Sequence, residues 1–261
     1  MRSRCVLLAG AFLLSCPSLG AVRSAPPNVV LIISDDHAWA DYSFLGHRYV
    51  ATPNLDRLAA QSLTFTRGYT PVPLCRPSLA SIVTGLPPHR HGVVGNDPDL
   101  PDPGVNAMAA RGNPRYAPYY DAIIEQFRRR PNMVRDLTSR GYLALQTGKW
   151  WEGDPIKTAG FTHSMTQGEG RAGRHGDAGL TIGREGLGPV YRFIEQAADK
   201  PFFVWYAPML PHAPHTPLGD LLEKYLPLAA TEPVARYWAS VEWFDRTCGE
   251  LLRYLEDRGL R

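Results

Sequence analysis

Residues 28–36 read Asn-Val-Val-Leu-Ile-Ile-Ser-Asp-Asp (NVVLIISDD), and this stretch decides the fold. Val29 to Ile33 is an unbroken apolar, mostly β-branched run without alternation. A strand reads this way when both of its faces are covered, as in a parallel sheet packed between helices. Outward from it, the pattern keeps changing period. Thr52-Pro53 opens a helix with Leu55, Leu58, Ala59 and Ser62 on one face. Leu63 to Thr66 reads as a short strand, and a helix begins near Pro77 and ends at Gly85. Asn96 to Tyr120 is a loop rich in Pro, Asn, Asp and Gly. Helical patterns resume at Asp121 and after Pro131, stopping at Gly141, and Tyr142 to Thr147 is a strand. Glu152 to Gly186 is polar, Gly-rich and aperiodic, a second long loop. A helix from Leu187 to Ala198 leads into the strand Pro201 to Ala207 (PFFVWYA). Pro233 to Asp257 is a long amphipathic helix through Val234, Tyr237, Val241, Phe244, Cys248, Leu251 and Leu255, with Gly259 as its stop. Strands alternating with helices give an α/β chain with a mostly parallel sheet flanked by helices.

Ligands of such sheets gather beyond the carboxyl ends of the strands. The residues just past the expected strands are Asp35-Asp36, Gly148-Lys149 and Pro211-His212, which places these polar clusters on one edge. The remainder of the composition is that of an ordinary globular protein, 44% apolar and 20% charged. A net charge of +3 is too small to argue for a nucleic-acid partner, and Arg128-Arg129-Arg130 reads as a solvated helix end. Residues 1–25 differ: Arg2 and Arg4 precede an apolar run from Cys5 to Leu14, followed by small residues from Ser18 to Ala21. That is the layout of a secretory signal peptide, so the mature chain, from residue 26, is expected to be exported to a periplasm or to the outside. The alternative is a lipoprotein leader with a lipid anchor at Cys16. No later segment is long and apolar enough for a transmembrane helix. With Cys5 and Cys16 in the leader, Cys75 and Cys248 remain, and neither is expected in a disulfide. Cys248 lies on the apolar stripe of the last helix, where a thiol packs as a small hydrophobe.

Cys75 sits in Cys75-Arg76-Pro77-Ser78-Leu79-Ala80-Ser81-Ile82-Val83-Thr84-Gly85. Pro77 suits the first turn of a helix, which puts Cys75 at or just before a helix amino terminus, where free N–H groups favour an anion. This segment resembles the signature of the formylglycine-dependent sulfatases, Cys-x-Pro-Ser-Arg followed by Thr-Gly. Asp35-Asp36, Ala51-Thr52-Pro53-Asn54-Leu55-Asp56, Pro88-His89-Arg90-His91-Gly92-Val93, Thr147-Gly148-Lys149-Trp150 and Pro211-His212-Ala213-Pro214 follow the same family's order. The resemblance implies an alkaline-phosphatase-like sandwich and the hydrolysis of sulfate esters. It implies that Cys75, oxidised to formylglycine by a formylglycine-generating enzyme, is the nucleophile. Lys149 and His212 resemble the residues that hold the sulfate, and His212 also the group that protonates the leaving oxygen. Asp35 and Asp36, with residue 75, resemble ligands of a divalent cation, usually calcium. His89 and His91 are architectural by the same resemblance, and His163, His175 and His215 belong to no motif.

Three departures stand out. Leu79 occupies the place of the signature Arg; Arg76, one helical turn earlier, is the candidate to replace it in binding substrate, the alternative being that it faces solvent. Trp151 stands where the family has a His. The family's later calcium ligands and a second sulfate-binding Lys are expected beyond residue 261, so the chain reads as the amino-terminal part of a sulfatase catalytic domain, incomplete at its carboxyl end. On its own it is expected to bind metal weakly and to turn over little. Two rival readings are a phosphonate or phosphodiester hydrolase of the same superfamily, and a non-catalytic binder of sulfated glycans in which Cys75 stays a thiol.

Overall fold

The structure, a computed structural model, describes residues 25–110, 113–166 and 177–260; the leader and His175 lie outside the described residues. Four strands, β1 (Val29–Ile32), β2 (Leu143–Gly148), β3 (His163–Ser164) and β4 (Phe202–Ala207), form one sheet in the order β1-β4-β2-β3. Every pairing is parallel, with Val29 opposite Phe203 and Thr147 opposite Tyr206. The helices are α1 (Pro53–Ala60), α2 (Cys75–Thr84), α3 (Pro88–His91), α4 (Ala107–Ala110), α5 (Ala117–Arg128), α6 (Met133–Ser139), α7 (Pro155–Ala159), α8 (Gly188–Ala197), α9 (Gly219–Tyr225) and α10 (Glu232–Asp257).

The unbroken apolar strands follow from cover on both faces. Val30, Ile32, Val204 and Tyr206 face a core completed by α8, α9 and α10 through Phe193, Leu221, Phe244 and Leu251. Val29, Leu31, Phe203 and Trp205 face a second core completed by Ala80 and Val83 of α2, Phe127 of α5 and Val134 of α6. This is the α/β architecture read from residues 28–36, a parallel sheet flanked by helices. Cys248 is buried in the first core, and Cys75 and Cys248 are both free thiols. Arg128 and Arg129 are exposed and pair with Glu125, as a solvated helix end should.

Some expectations are corrected. Leu63 to Thr66 is not a strand: no strand of the sheet accepts its backbone, and Leu63 and Phe65 are 80% and 79% exposed. A short apolar segment becomes a strand only when a partner edge reaches it. The two long loops also carry structure. α4 and the first turn of α5 fall within 96–120, and α7, β3 and a 3₁₀ turn at Ala178–Thr181 fall within 152–186. Asp154 shows how so short a helix is held, its carboxylate accepting the N–H groups of Ile156 and Lys157.

Candidate active site at the carboxyl edge of the sheet

The expected site residues sit either within one to five positions past a strand or at the first turn of a helix. Past β1, Asp35 donates its N–H to the carbonyl of Leu210 at 2.9 Å and forms a parallel bridge with Pro211. This tie zips the turns after β1 and β4 together and brings Asp35 and Asp36 beside His212. Asp36 adopts a left-handed conformation (φ 54°), which aspartate tolerates better than most residues. Past β2, Gly148 has φ 74°, and a Cβ there would lie 1.9 Å from the carbonyl oxygen of Ala207. Only glycine lets β2 pass this close to β4, and Lys149 follows it directly, its N–H donating to the same carbonyl at 2.8 Å.

Lys149 is 2% exposed, and its Nζ lies 2.5 Å from Oδ2 of Asp35. Burial makes each the other's necessary counter-charge. The ring of Trp151 flanks the same ammonium, its centroid 5.4 Å from Nζ. His212 donates from Nδ1 to the carbonyl of Ala213 at 2.5 Å, which directs Nε2 to Oδ2 of Asp36 at 3.3 Å. Cys75 is the first residue of α2, and its Sγ lies 3.9 Å from Oδ1 of Asp36. A cleft of about 450 Å³ is lined by Asp35, Asp36, Cys75 and Lys149, with Val72, Leu74, Leu79 and Ile82 as an apolar wall beside Cys75; His212 adjoins it through Asp36.

A thiol at a helix start beside a lysine would ordinarily ionise easily. Here burial pushes the Cys75 thiol up, Lys149 draws it down, and the charges of Asp35 and Asp36 push it up again, with a net rise. As a plain thiol the residue is a weak nucleophile near neutral pH. One ligand atom each from Asp35, Asp36, Cys75 and His212 all lie within 4.8 Å of one another. Oδ2 of Asp35 faces Nζ of Lys149, and the carboxylates of Asp35 and Asp36 set hard oxygen donors side by side at the same edge. The two carboxylates therefore fit a divalent cation such as calcium, whereas a thiol and an imidazole suit softer ions.

Comparison with known proteins bears on this arrangement. The family model described as Sulfatase matches residues 27–261. The chain belongs to the sulfatase family. Human arylsulfatase A is 38% identical over 138 residues, covering 53% of this chain and 23% of that protein. The N-acetylgalactosamine-6-sulfatase of Canis lupus familiaris is 28% identical over 281 residues, 94% of this chain and 50% of that protein. This sulfatase chain thus spans about half the length, or less, of these curated relatives. Among solved structures, one described in complex with its substrate D-glucosamine-2-N,6-O-disulfate superposes with a TM-score of 0.60 at 19% identity, covering 89% of this chain and 63% of that one.

Of the residues singled out in the sequence, the sulfatase chain brings together Asp35, Asp36, Cys75, Lys149 and His212. Arg76 is the exception. It is 3% exposed and contributes nothing to the lining of the cleft. Its Nε and Nη2 donate to Oε1 and Oε2 of Glu152 at 2.7 and 2.8 Å. It faces neither solvent nor substrate, because a guanidinium so occupied and so buried is available to neither. His91 is architectural as expected: it accepts the N–H of Val93 at Nδ1, so Nε2 carries the proton to Ser81 at 2.9 Å. The sequence gives no warning of Glu152, Asn96 or Arg184. Arg184 donates to the carbonyls of Met209 and His212 and so braces the turn that carries the histidine. A lone arginine inside a Gly-rich loop carries no pattern that could reveal this.

Proposed function

We propose that this chain carries the nucleophile half of a hydrolase of sulfate esters, exported from the cell, with Cys75 converted to formylglycine and a calcium ion held by Asp35 and Asp36. The observation that supports it most is the meeting of Cys75, Lys149, His212 and the two aspartates at one sheet edge in a chain of the sulfatase family. As a hydrated aldehyde, residue 75 would supply two hydroxyls on one carbon, one a nucleophile toward sulfur, the other able to lose its proton and re-form the C=O as the C–O bond to sulfate breaks. A calcium ion supplies fixed positive charge against the sulfate oxygens.

The chain's own side chains do the rest. Lys149 holds a sulfate oxygen from a dry position, where its charge is least screened. His212, its Nδ1 anchored on a carbonyl and its Nε2 turned to Asp36 at the edge of the cleft, gives a proton to the departing alcohol oxygen. Arg184 keeps that ring in place. The substrate is a sulfated small molecule or glycan, by likeness to relatives named for a sulfated amino sugar and to the structure holding D-glucosamine-2-N,6-O-disulfate. No helix among the described residues is long and apolar enough to cross a membrane.

The test is peptide mass spectrometry across Cys75, on chain made in a host with formylglycine-generating activity, followed by paired assays on an aryl sulfate and a phosphodiester. An aldehyde at position 75 with faster turnover of the sulfate is the expected result. An aldehyde with phosphodiester preference moves the chain to the phosphonate and phosphodiester hydrolases. A thiol throughout removes the formylglycine mechanism and leaves a glycan-binding role. Amino-terminal sequencing of secreted protein checks the leader, with a start near residue 26 expected.

A further inference from the structure

α2 begins at Cys75 without local support. Its N-cap residue, Leu74, has no side chain able to accept a hydrogen bond, and the first turn carries no acidic residue to offset the helix dipole. Two distant segments act instead. Oδ1 of Asn96 accepts the N–H of Arg76 at 3.0 Å, an end-cap brought in from 20 residues away. The guanidinium of Arg76 then forks onto both oxygens of Glu152, a residue of the same turn past β2 that carries Lys149. Both partners are buried, at 3% and 5% side-chain exposure, so the pair is dry and its fork geometry is rigid. The space around it is closed by Leu79, Trp150 and Trp151.

We infer that Arg76 and Glu152 are positioning residues that lock the first turn of α2 to the loop after β2, and so fix the distance between residue 75 and Lys149. This rests on the reading of residue 75 as the nucleophile, and it extends it: the nucleophile and its cation are held in register by an ion pair that touches neither substrate nor metal. A dry fork between adjacent turns leaves little freedom to either.

The test uses the chain from residue 26 onward, made without formylglycine-generating activity, so that Cys75 is a thiol whose alkylation by iodoacetamide reads the mobility of the turn at one fixed pH; buried Cys248 is the internal control. The variants are Arg76→Met/Glu152→Leu, which replaces the pair by apolar groups of similar volume, and Arg76→Lys, which keeps the charge and loses the fork. The expected result is a melting temperature close to that of the parent for the double variant, with Cys75 alkylation roughly fivefold faster or more, because the turn opens locally. Arg76→Lys is expected to fall between the two. Alkylation within about twofold of the parent in a folded double variant overturns the inference. So does a double variant that fails to fold, since the pair then holds the domain rather than the turn. In matured protein the double variant is expected to lose kcat with little change in KM. If Cys75 stays a thiol in a host with formylglycine-generating activity, the formylglycine reading fails while the alkylation result still decides the clamp.

Discussion

Lys149 and Asp35 form the tightest charge contact of the cleft, and both lie where water cannot replace a lost partner. Lys149→Met therefore strands a buried carboxylate, at a cost of about 3 kcal/mol in urea denaturation. In matured protein the same change is expected to lower sulfate-ester turnover by about 10²-fold or more, as removal of a preorganised charge does. It also moves the thiol in a known direction. Lys149 is the group that draws Cys75 down, whereas Asp36 pushes it up. The pH midpoint for alkylation of Cys75 should lie above that of a free thiol, rise further in Lys149→Met and fall in Asp36→Asn. A midpoint unchanged in both variants would mean that these charges do not reach the sulfur. His212 and Arg184 differ from this pair in that backbone carbonyls anchor them, that of Ala213 for the ring and those of Met209 and His212 for the guanidinium.

At the scale of elements, close approach decides where the functional turns lie. The end of β2 passes β4 through Gly148, and Gly148→Ala would drive a methyl group into the carbonyl of Ala207 from a left-handed backbone. A loss of about 3 kcal/mol or more, seen as a lowered melting temperature or loss of soluble protein, is expected. α1 depends on a different long-range contact. Asp245 of α10 accepts the N–H groups of Asn54 and Leu55 and the side-chain amide of Asn54, a cap that α1 lacks locally. Asp245→Ala should cost about 2 kcal/mol in urea denaturation, by leaving those donors bare. Burial nonetheless holds the Asp245 carboxyl above the ordinary range. On raising the pH the unfolded chain loses this proton first, so this group's contribution to stability falls between the ordinary carboxylate range and the raised folded value. Asp245→Asn should flatten that part of the stability curve. The segment from Leu63 to Thr66 is the converse case: its apolar residues suit a strand, but pairing is a property of neighbours, and none of the strands accepts it.

For the whole molecule, the cation is the sharpest question. Among the described residues the cluster offers carboxylate oxygens only from Asp35 and Asp36, and calcium takes six to eight oxygens. Binding on the order of 10⁻³ M is expected for the chain by itself. Calcium titrated into the folded chain should raise its melting temperature, and Asp35→Asn or Asp36→Asn should remove that rise. A rise that survives both substitutions would place the ion elsewhere. The match to the sulfatase family covers residues 27–261 while spanning about half or less of the relatives' lengths, so activity is best measured against a longer polypeptide as well as this one.

Much of this molecule is legible in its amino-acid sequence alone. Apolar runs at 28–34 and 201–207 have no polar face to expose, which forces them into the middle of a layered α/β fold. The residues after those runs then have to meet at one edge, and Asp35, Asp36, Lys149 and His212 do. Cys75 is legible because proline two residues later fixes a helix start. Arg76 is not, since burial and exposure are equally open to an arginine one turn before a leucine, and only the arrival of Glu152 from 76 residues away decides between them. The same holds for Asn96, Arg184 and Asp245, whose roles depend on which distant backbone groups lack partners. Local pattern sets which segments must be buried and in what period; which polar groups find each other inside is settled only when the chain closes on itself.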